Sequence, residues 1–231
     1  EKWCWIIIIF YMLFQWSGAI KNGSMTQFCE WVLNLEIVEY DWGIAQTILS
    51  IAGAVPMAVA VVVVMPLSNK IGKAKTTSIF LVLGCIGGIL AGMFYDNIAM
   101  VGIGVALKCF GSSPACYLIL AMLADVIDHI EYKTGLRTDG LTMSIYSSLM
   151  VAASPIGTSI LNAILNASGF DGNIVFMQGV QSQSAVRALS ITYIWIETIC
   201  YGICAFLILA FTVEKDLKAE QEEIKKRKGI N

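Results

Sequence analysis

Long apolar stretches separated by short polar segments dominate this chain. Each stretch is close to the roughly 20 residues that an α-helix needs to cross a bilayer, where every backbone polar group must be satisfied within the segment itself. The pattern predicts an all-α, polytopic membrane protein with six transmembrane helices. The predicted spans are residues 3–35, 44–66, 77–95, 98–122, 141–167 and 189–213, followed by a charged tail over residues 214–231.

The composition supports a membrane protein. Hydrophobic residues make up 57% of the chain and charged residues only 14%, against roughly 25% charged in a soluble domain. The net charge of −2 gives no global field that would favour a nucleic-acid partner. The seven cysteines show neither a C-x-x-C pair nor the spacing of a disulfide framework, and His129 is the single histidine, so we expect no metal site and no covalently bound cofactor.

The positions of lysine and arginine predict an orientation, because these residues are retained in the cytoplasm during insertion. With both ends of the segment placed inside, twelve of the fifteen basic residues lie on the cytoplasmic side and only Arg187 lies outside. The remaining two, Lys21 and Lys108, fall within spans. We expect an integral membrane protein with both ends of this segment cytoplasmic, and a solvated tail helix held near anionic lipid.

Polar side chains inside the spans are the candidates for a substrate cavity. A lysine at bilayer depth costs at least ~2.5 kcal/mol and therefore normally faces protein or water. Lys21 would instead reach an interface if the first helix were broken at that point. The intramembrane acid Glu197 could pair with an intramembrane lysine or handle a proton. The candidates from this argument are Gln15, Lys21, Asn22, Lys108 and Glu197.

The segment from residue 123 to 140 is charged in a specific pattern. Asp125 and Asp128 are three residues apart, which would place them on one side of a helix end, where the helix dipole opposes carboxylates. They therefore need partners, or else they form a solvated acidic end in which exposed pairs contribute little. Five basic residues are available as partners, and with the carboxylates they would form an ionic latch. They are Lys70, Lys73, Lys75, Lys133 and Arg137.

Two of these segments resemble loops of one transporter family. The segment Asp125-x-x-Asp128-His129-x-Glu131-Tyr132-Lys133, followed by Arg137 and Gly140, resembles the signature between helices ten and eleven of the glycoside-pentoside-hexuronide:cation symporters, the melibiose permease family of the major facilitator superfamily. The turn Asn69-Lys70-x-Gly72-Lys73-x-Lys75 resembles the loop between helices eight and nine of that superfamily.

The resemblance implies that the chain is the C-terminal half of such a symporter, with helices seven to twelve. A missing N-terminal six-helix half would be its partner and would hold the site of the coupling ion, Na+ or H+. The implied substrate is a sugar or glycoside, moved by alternating access across a bacterial inner membrane. The cytoplasmic gating motif would comprise Lys70, Lys73, Asp125, Asp128, Glu131, Tyr132, Lys133 and Arg137.

The chain departs from the family pattern at two places. Tyr117 is a further cavity candidate because it lies near the position of an aromatic residue that contacts sugar in melibiose permease, but the register places that position at Cys116. The lysine of helix eleven is replaced by the apolar run at residues 150–153. Either Lys108 or Lys21 takes over its role, or the substrate differs.

Two other classes of protein stay open on sequence grounds. One is a sensor or scaffold that has the same fold but no longer couples an ion to transport. The absence of the helix-eleven lysine would be compatible with such a protein. An integral membrane enzyme has less support, because no nucleophile and base pair, metal motif or phosphate loop occurs in the chain. Acidic residues inside the second and fourth helices of an upstream half would favour the symporter.

Overall fold

The computed structural model describes residues 2–215 and 217–228. Every regular element in this part of the chain is helical, and six stretches are long and apolar enough to cross a membrane. The predicted all-α, six-span fold class is therefore confirmed. Residues 216 and 229–231 of the predicted charged tail lie outside the described residues.

The helices follow the predicted order, and two short 3-10 turns lie outside the spans. A π-helical turn, Ile191–Trp195, joins α7 to α8 in the sixth span. Asp41 and Asn97 begin α2 and α4 by accepting hydrogen bonds from two backbone N–H groups each. The helices are α1 Lys2–Trp31, α2 Trp42–Ile71, α3 Lys73–Met93, α4 Ile98–Tyr117, α5 Ile119–Thr134, α6 Asp139–Ala167, α7 Gln183–Ser190, α8 Ile196–Leu209 and α9 Leu217–Lys228.

The structure decides between two alternatives for α1 and differs from the expectation in the fourth span. α1 is continuous through Lys21, so the alternative of a helix broken there does not apply. The fourth span is divided at Leu118 into α4 and α5. Pro114 stands four residues before that division and cannot donate to the carbonyl of Phe110. The hydroxyl of Ser113 donates to this carbonyl instead, at 2.7 Å.

Small residues bring α3 close to two neighbours at once. On one face, a Cβ added at Gly104 of α4 would lie 2.6 Å from the backbone oxygen of Gly87, so this crossing requires glycine. On the other face, Gly84, Gly88 and Gly92 accommodate side chains of α8 and of the π turn. The glycine repeat of α3 therefore serves two helix contacts.

Two buried apolar clusters lie at different levels of the bundle. One contains Phe10 of α1 and Met122 of α5, and the other contains Phe28 of α1 and Val101 of α4. In α1, α4 and the sixth span an interval separates the residues of the two clusters, and this interval contains polar side chains. The outer faces of α2 and α6 expose apolar side chains, as lipid contact requires.

Candidate functional site

A cavity of about 380 Å³ opens between α1, α2, α4 and the sixth span. It lies at the level between the two apolar clusters, and amide, hydroxyl and charged side chains line it. The polar side chains that line it are Gln15, Lys21, Asn22, Ser50, Ser112, Tyr193, Glu197 and Tyr201.

Three ionisable side chains meet at the wall of this cavity, and we call Lys21, Lys108 and Glu197 the ion cluster. Lys108 Nζ lies 2.5 Å from Glu197 Oε2, and both side chains are almost fully buried. Lys21 Nζ lies 3.8 Å from Glu197 Oε1, which is too far for a hydrogen bond. The hydroxyl of Tyr201 donates to the same oxygen at 2.9 Å. Glu197 is thus the centre of the cluster.

The π turn helps to position the cluster. The backbone N–H of Ile196 bonds to the carbonyl of Ile191, five residues earlier, which defines the wider turn. The carbonyl of Ile194 within this turn accepts from Lys108 Nζ at 3.2 Å and from the hydroxyl of Thr198 at 2.6 Å. Lys108 therefore has both a carboxylate and a carbonyl as acceptors in the interior, which offsets part of the cost of burying its charge.

The structure places four of the predicted cavity residues in the lining: Gln15, Lys21, Asn22 and Glu197. Lys108 lies behind Glu197, where its side chain is 2% exposed. Tyr117 does not line the cavity; it is 39% exposed and stands at the end of α4. Cys116 lines the cavity in its place, so the expected position of Tyr117 is corrected by one residue, which is a rotation of about 100° on a helix.

Sequence reasoning missed several lining residues that stand one helical turn from the predicted ones. Ser112 follows Lys108 by four residues and Tyr201 follows Glu197 by four, so each shares a helix face with a predicted residue. That spacing was a usable signal. Ser50 on α2 gave no signal of its own, because its neighbours in sequence are apolar and only the packing of α2 brings it to the cavity.

A second group of charges lies at one end of the bundle, which we call the basic end: residues 70–75, 125–139 and 214–228. Lys73 Nζ lies 2.6 Å from Asp125 Oδ2. Arg137 lies 3.0 Å from Glu131 and 3.6 Å from Asp128, but its side chain is 50% exposed. The structure thus brings the acidic segment onto the basic turn through Lys73, whereas Lys70 and Lys133 are exposed.

The tail helix α9 packs on α5, contrary to the expectation of a solvated helix. Nδ1 of His129 lies 2.9 Å from both carboxylate oxygens of Glu220, and both residues are buried. The amide of Gln221 donates to Asp128 at 2.7 Å. Arg227 donates to the backbone carbonyl of Tyr132 and stands 5.1 Å from the centre of its ring. Hydropathy alone missed this contact because its partners are distant in sequence.

Glu214 caps the N-terminus of α3. Its carboxylate accepts from the backbone N–H of Lys73 at 2.8 Å and from that of Ala74 at 3.4 Å, where the helix dipole favours negative charge. Burial raises the pKa of Glu214, although the two N–H donors act against that rise. Gly72, with φ of 95°, leaves room for the carboxylate.

Among the described residues no group of three His, Cys, Asp or Glu side chains could hold a metal ion.

The fold and the cavity together define the class: a polytopic α-helical bundle with a polar, charged cavity at the middle of its spans, which is the architecture of a transport protein. The model of a family described as MFS/sugar transport protein matches residues 1–215. The chain therefore belongs to this family, as the loop resemblance predicted, and the family is one of transport proteins rather than enzymes.

Individual relatives agree with the family. The chain is 27% identical to an isoprimeverose transporter of Lactiplantibacillus pentosus, over 93% of this chain and 43% of that protein. It is 26% identical to a glucuronide carrier protein homolog of Escherichia coli (strain K12), over 93% of this chain and 45% of that protein. An uncharacterized symporter of Bacillus subtilis (strain 168) is 23% identical over 81% of this chain. The chain thus spans less than half the length of the relatives it matches.

Proposed function

We propose that this chain is the C-terminal half of a secondary transporter that moves a sugar or glycoside with Na+ or H+. The observation that carries the proposal is the cavity at mid-span, which is lined by two amides, four hydroxyl groups, one ammonium group and one carboxylate. Such groups are costly in a membrane unless they serve a substrate or ion pathway. The names of the relatives, an isoprimeverose transporter and a glucuronide carrier homolog, support a sugar as substrate.

In this proposal the bundle forms one wall of a central cavity, and an N-terminal six-helix half forms the other. Rocking of the two halves would expose the cavity to each side of a bacterial inner membrane in turn. The basic end would lie in the cytoplasm, where the pair of Lys73 and Asp125 holds the cytoplasmic side closed while the cavity opens outward. The coupling ion would bind in the N-terminal half.

Uptake by the full-length protein tests this function. Vesicles that contain it are given a panel of labelled sugars with a Na+ gradient, with a proton gradient and with neither. We expect concentrative uptake of at least one sugar under one gradient only, since coupled transport requires the ion. Flat uptake of every sugar under every condition would contradict the proposal.

One observation favours a second candidate, a non-transporting sensor of the same fold. Residues 150–153 carry no cation where the resembling family has one, and Met150 instead accepts a contact from the amide of Gln15. A sensor would bind a sugar with the cavity and move none. Saturable binding of a sugar by the full-length protein, without flux across the vesicle membrane, would favour this candidate over the transporter.

A further inference from the structure

We propose that a groove between α3 and the sixth span binds one anionic phospholipid, with Arg187 on the lipid phosphate and an acyl chain along the two helices. This lipid groove has a volume of about 340 Å³ and lies at the end of the bundle opposite to the basic end. Such a site is independent of the proposed substrate, because it needs only that the spans cross a membrane. The lining residues that define it are Gly92, Tyr95, Arg187, Ser190, Ile191 and Trp195.

The lipid groove lies on the side of the bundle that faces away from the central cavity. In the sixth span Tyr193 and Glu197 line the cavity, whereas Trp195 lines the groove. Trp195 is two residues from each of them, which is roughly half a turn of the helix. α3 contributes to the groove and to no part of the described cavity lining. A second half of the protein would close the cavity from the cavity side, so the groove stays on the surface that meets lipid.

Apolar side chains border the groove, as an acyl chain requires. On α3, Ile89 and Met93 are exposed on one stripe of the helix, and Ile199 is exposed one turn beyond Trp195 in the sixth span. The floor between these two stripes is open because Gly92 has no side chain. A Cβ added there would meet the ring of Trp195. The two helices therefore present a continuous apolar channel to the hydrocarbon.

The polar end of the groove carries a positive charge without a counter-charge. Arg187 is exposed in the last turn of α7, and its guanidinium forms no ion pair or hydrogen bond with a described residue. No acidic side chain occurs in the described lining, and the hydroxyl of Tyr95 is a second donor there. Guanidinium binds phosphate through two parallel hydrogen bonds. The ammonium group of a zwitterionic lipid would find no carboxylate in this lining, so the charge favours an anionic headgroup.

The spacing of these groups matches the depth profile of a lipid. Arg187 and Trp195 are eight residues apart in one continuous helical span, which is about 12 Å along the axis. With Arg187 at the level of the headgroups, Trp195 reaches the upper part of the hydrocarbon region. A soluble anion would use only the polar end of the groove, whereas a phospholipid uses its whole length.

Quenching of Trp195 by brominated lipid tests the site in the full-length protein. The protein is reconstituted in phosphatidylcholine vesicles that contain either brominated phosphatidylglycerol or brominated phosphatidylcholine. The signal of Trp195 is the difference between the protein with this residue and the matching Trp195→Phe variant. We expect phosphatidylglycerol to quench this signal with an apparent affinity about fivefold higher than phosphatidylcholine, the ratio that one basic side chain gives near an anionic lipid.

Variants then test the role of Arg187. Arg187→Gln should bring the affinity ratio of the two lipids to about one, because it removes the charge that P–O⁻ groups meet, while Arg187→Lys should keep most of it. Lys75→Gln removes an exposed cation at the basic end and is the matched control, with no change expected. Native mass spectrometry of the detergent-solubilised protein needs no Trp195 variant; there Arg187→Gln should retain less phosphatidylglycerol than the unmodified protein.

Each outcome either supports or overturns the lipid site. Equal quenching by the two lipids, or a preference that survives Arg187→Gln, would show that Arg187 is a solvated cation and would overturn the site. Excess inorganic phosphate at constant ionic strength separates a lipid from a free anion: we expect unchanged quenching, and displacement of the lipid would contradict a phospholipid as the occupant. Sugar uptake is not part of these measurements, so their failure leaves the proposed function standing.

Discussion

The ion cluster and the basic end contain the same kinds of side chain in opposite surroundings. In the cluster, Lys108 and Glu197 are almost fully buried, so the surrounding side chains hold their charged groups in place. At the basic end, the Lys73 side chain is 29% exposed and that of Arg137 is 50% exposed. Buried charges are costly to unpair, whereas exposed pairs contribute little and are screened by salt. The cluster is thus suited to recognition, and the basic end to a contact that opens and closes.

The largest expected effect comes from breaking the cluster. Glu197→Gln leaves two buried ammonium groups without a carboxylate, so we expect the free energy of unfolding of the full-length protein to fall by about 3–5 kcal/mol. Thermal unfolding in detergent measures this loss. Glu223→Gln on the exposed side of α9 makes the same chemical change and should have little effect. Equal stability of the two variants would show that the lysines do not depend on Glu197.

A smaller effect is expected from the pair of Lys73 and Asp125. Lys73→Gln leaves the largely buried Asp125 carboxylate without its cation, which should cost about 1.5–3 kcal/mol. Because Lys73 is partly exposed, the loss should shrink in 1 M salt, to which the Glu197 variant should be insensitive. Lys75→Gln, at an exposed position two residues away, is the control.

The same pair also allows a test of gating. Charge reversal at Asp125 should open the cytoplasmic side and change the balance between inward-facing and outward-facing states, and the exchange Lys73→Asp with Asp125→Lys should restore it. Accessibility of a cysteine introduced in the cavity to reagents on each side reports this balance. An unchanged balance and unchanged uptake in Asp125→Lys would remove the proposed latch.

Weaker still is the attachment of the tail helix. Glu220→Gln removes the charge that faces His129, so we expect the docking of α9 to lose about 1 kcal/mol, which is roughly a fivefold faster hydrogen exchange over residues 217–228. Glu222→Gln changes an exposed acid of the same helix and serves as the control. If both variants exchange at the rate of the unmodified protein, the contact with His129 does not hold the helix.

The smallest effect is expected for Arg137. Its guanidinium contacts three acids, yet it is half exposed, and surface pairs of this kind contribute about 0–1 kcal/mol. Arg137→Gln should therefore unfold within about 1 kcal/mol of the unmodified protein at physiological salt. A loss as large as that of Glu197→Gln would mean that exposure does not separate the two regions.

The sequence predicted the fold and part of the site for a physical reason. Insertion in a membrane depends on local hydropathy, so the six spans can be read from the chain, and a buried charge such as Lys21 or Glu197 is conspicuous in an apolar run. The division of the fourth span at Leu118, the docking of α9 and the place of Ser50 in the cavity could not be predicted in this way. Each depends on contacts between elements that are far apart in sequence.

The π turn at Ile191–Trp195 has a consequence for the direction of the residues that follow it. A turn that closes five residues back contains one residue more than an α-helical turn, and each residue of an α-helix advances the chain by about 100° around its axis. Had the sixth span been a plain α-helix with one residue fewer, Glu197 and Tyr201 would point about 100° away from Lys108. This single wide turn therefore sets the direction in which the later residues of the sixth span point, and with it the place of Glu197 beside Lys108.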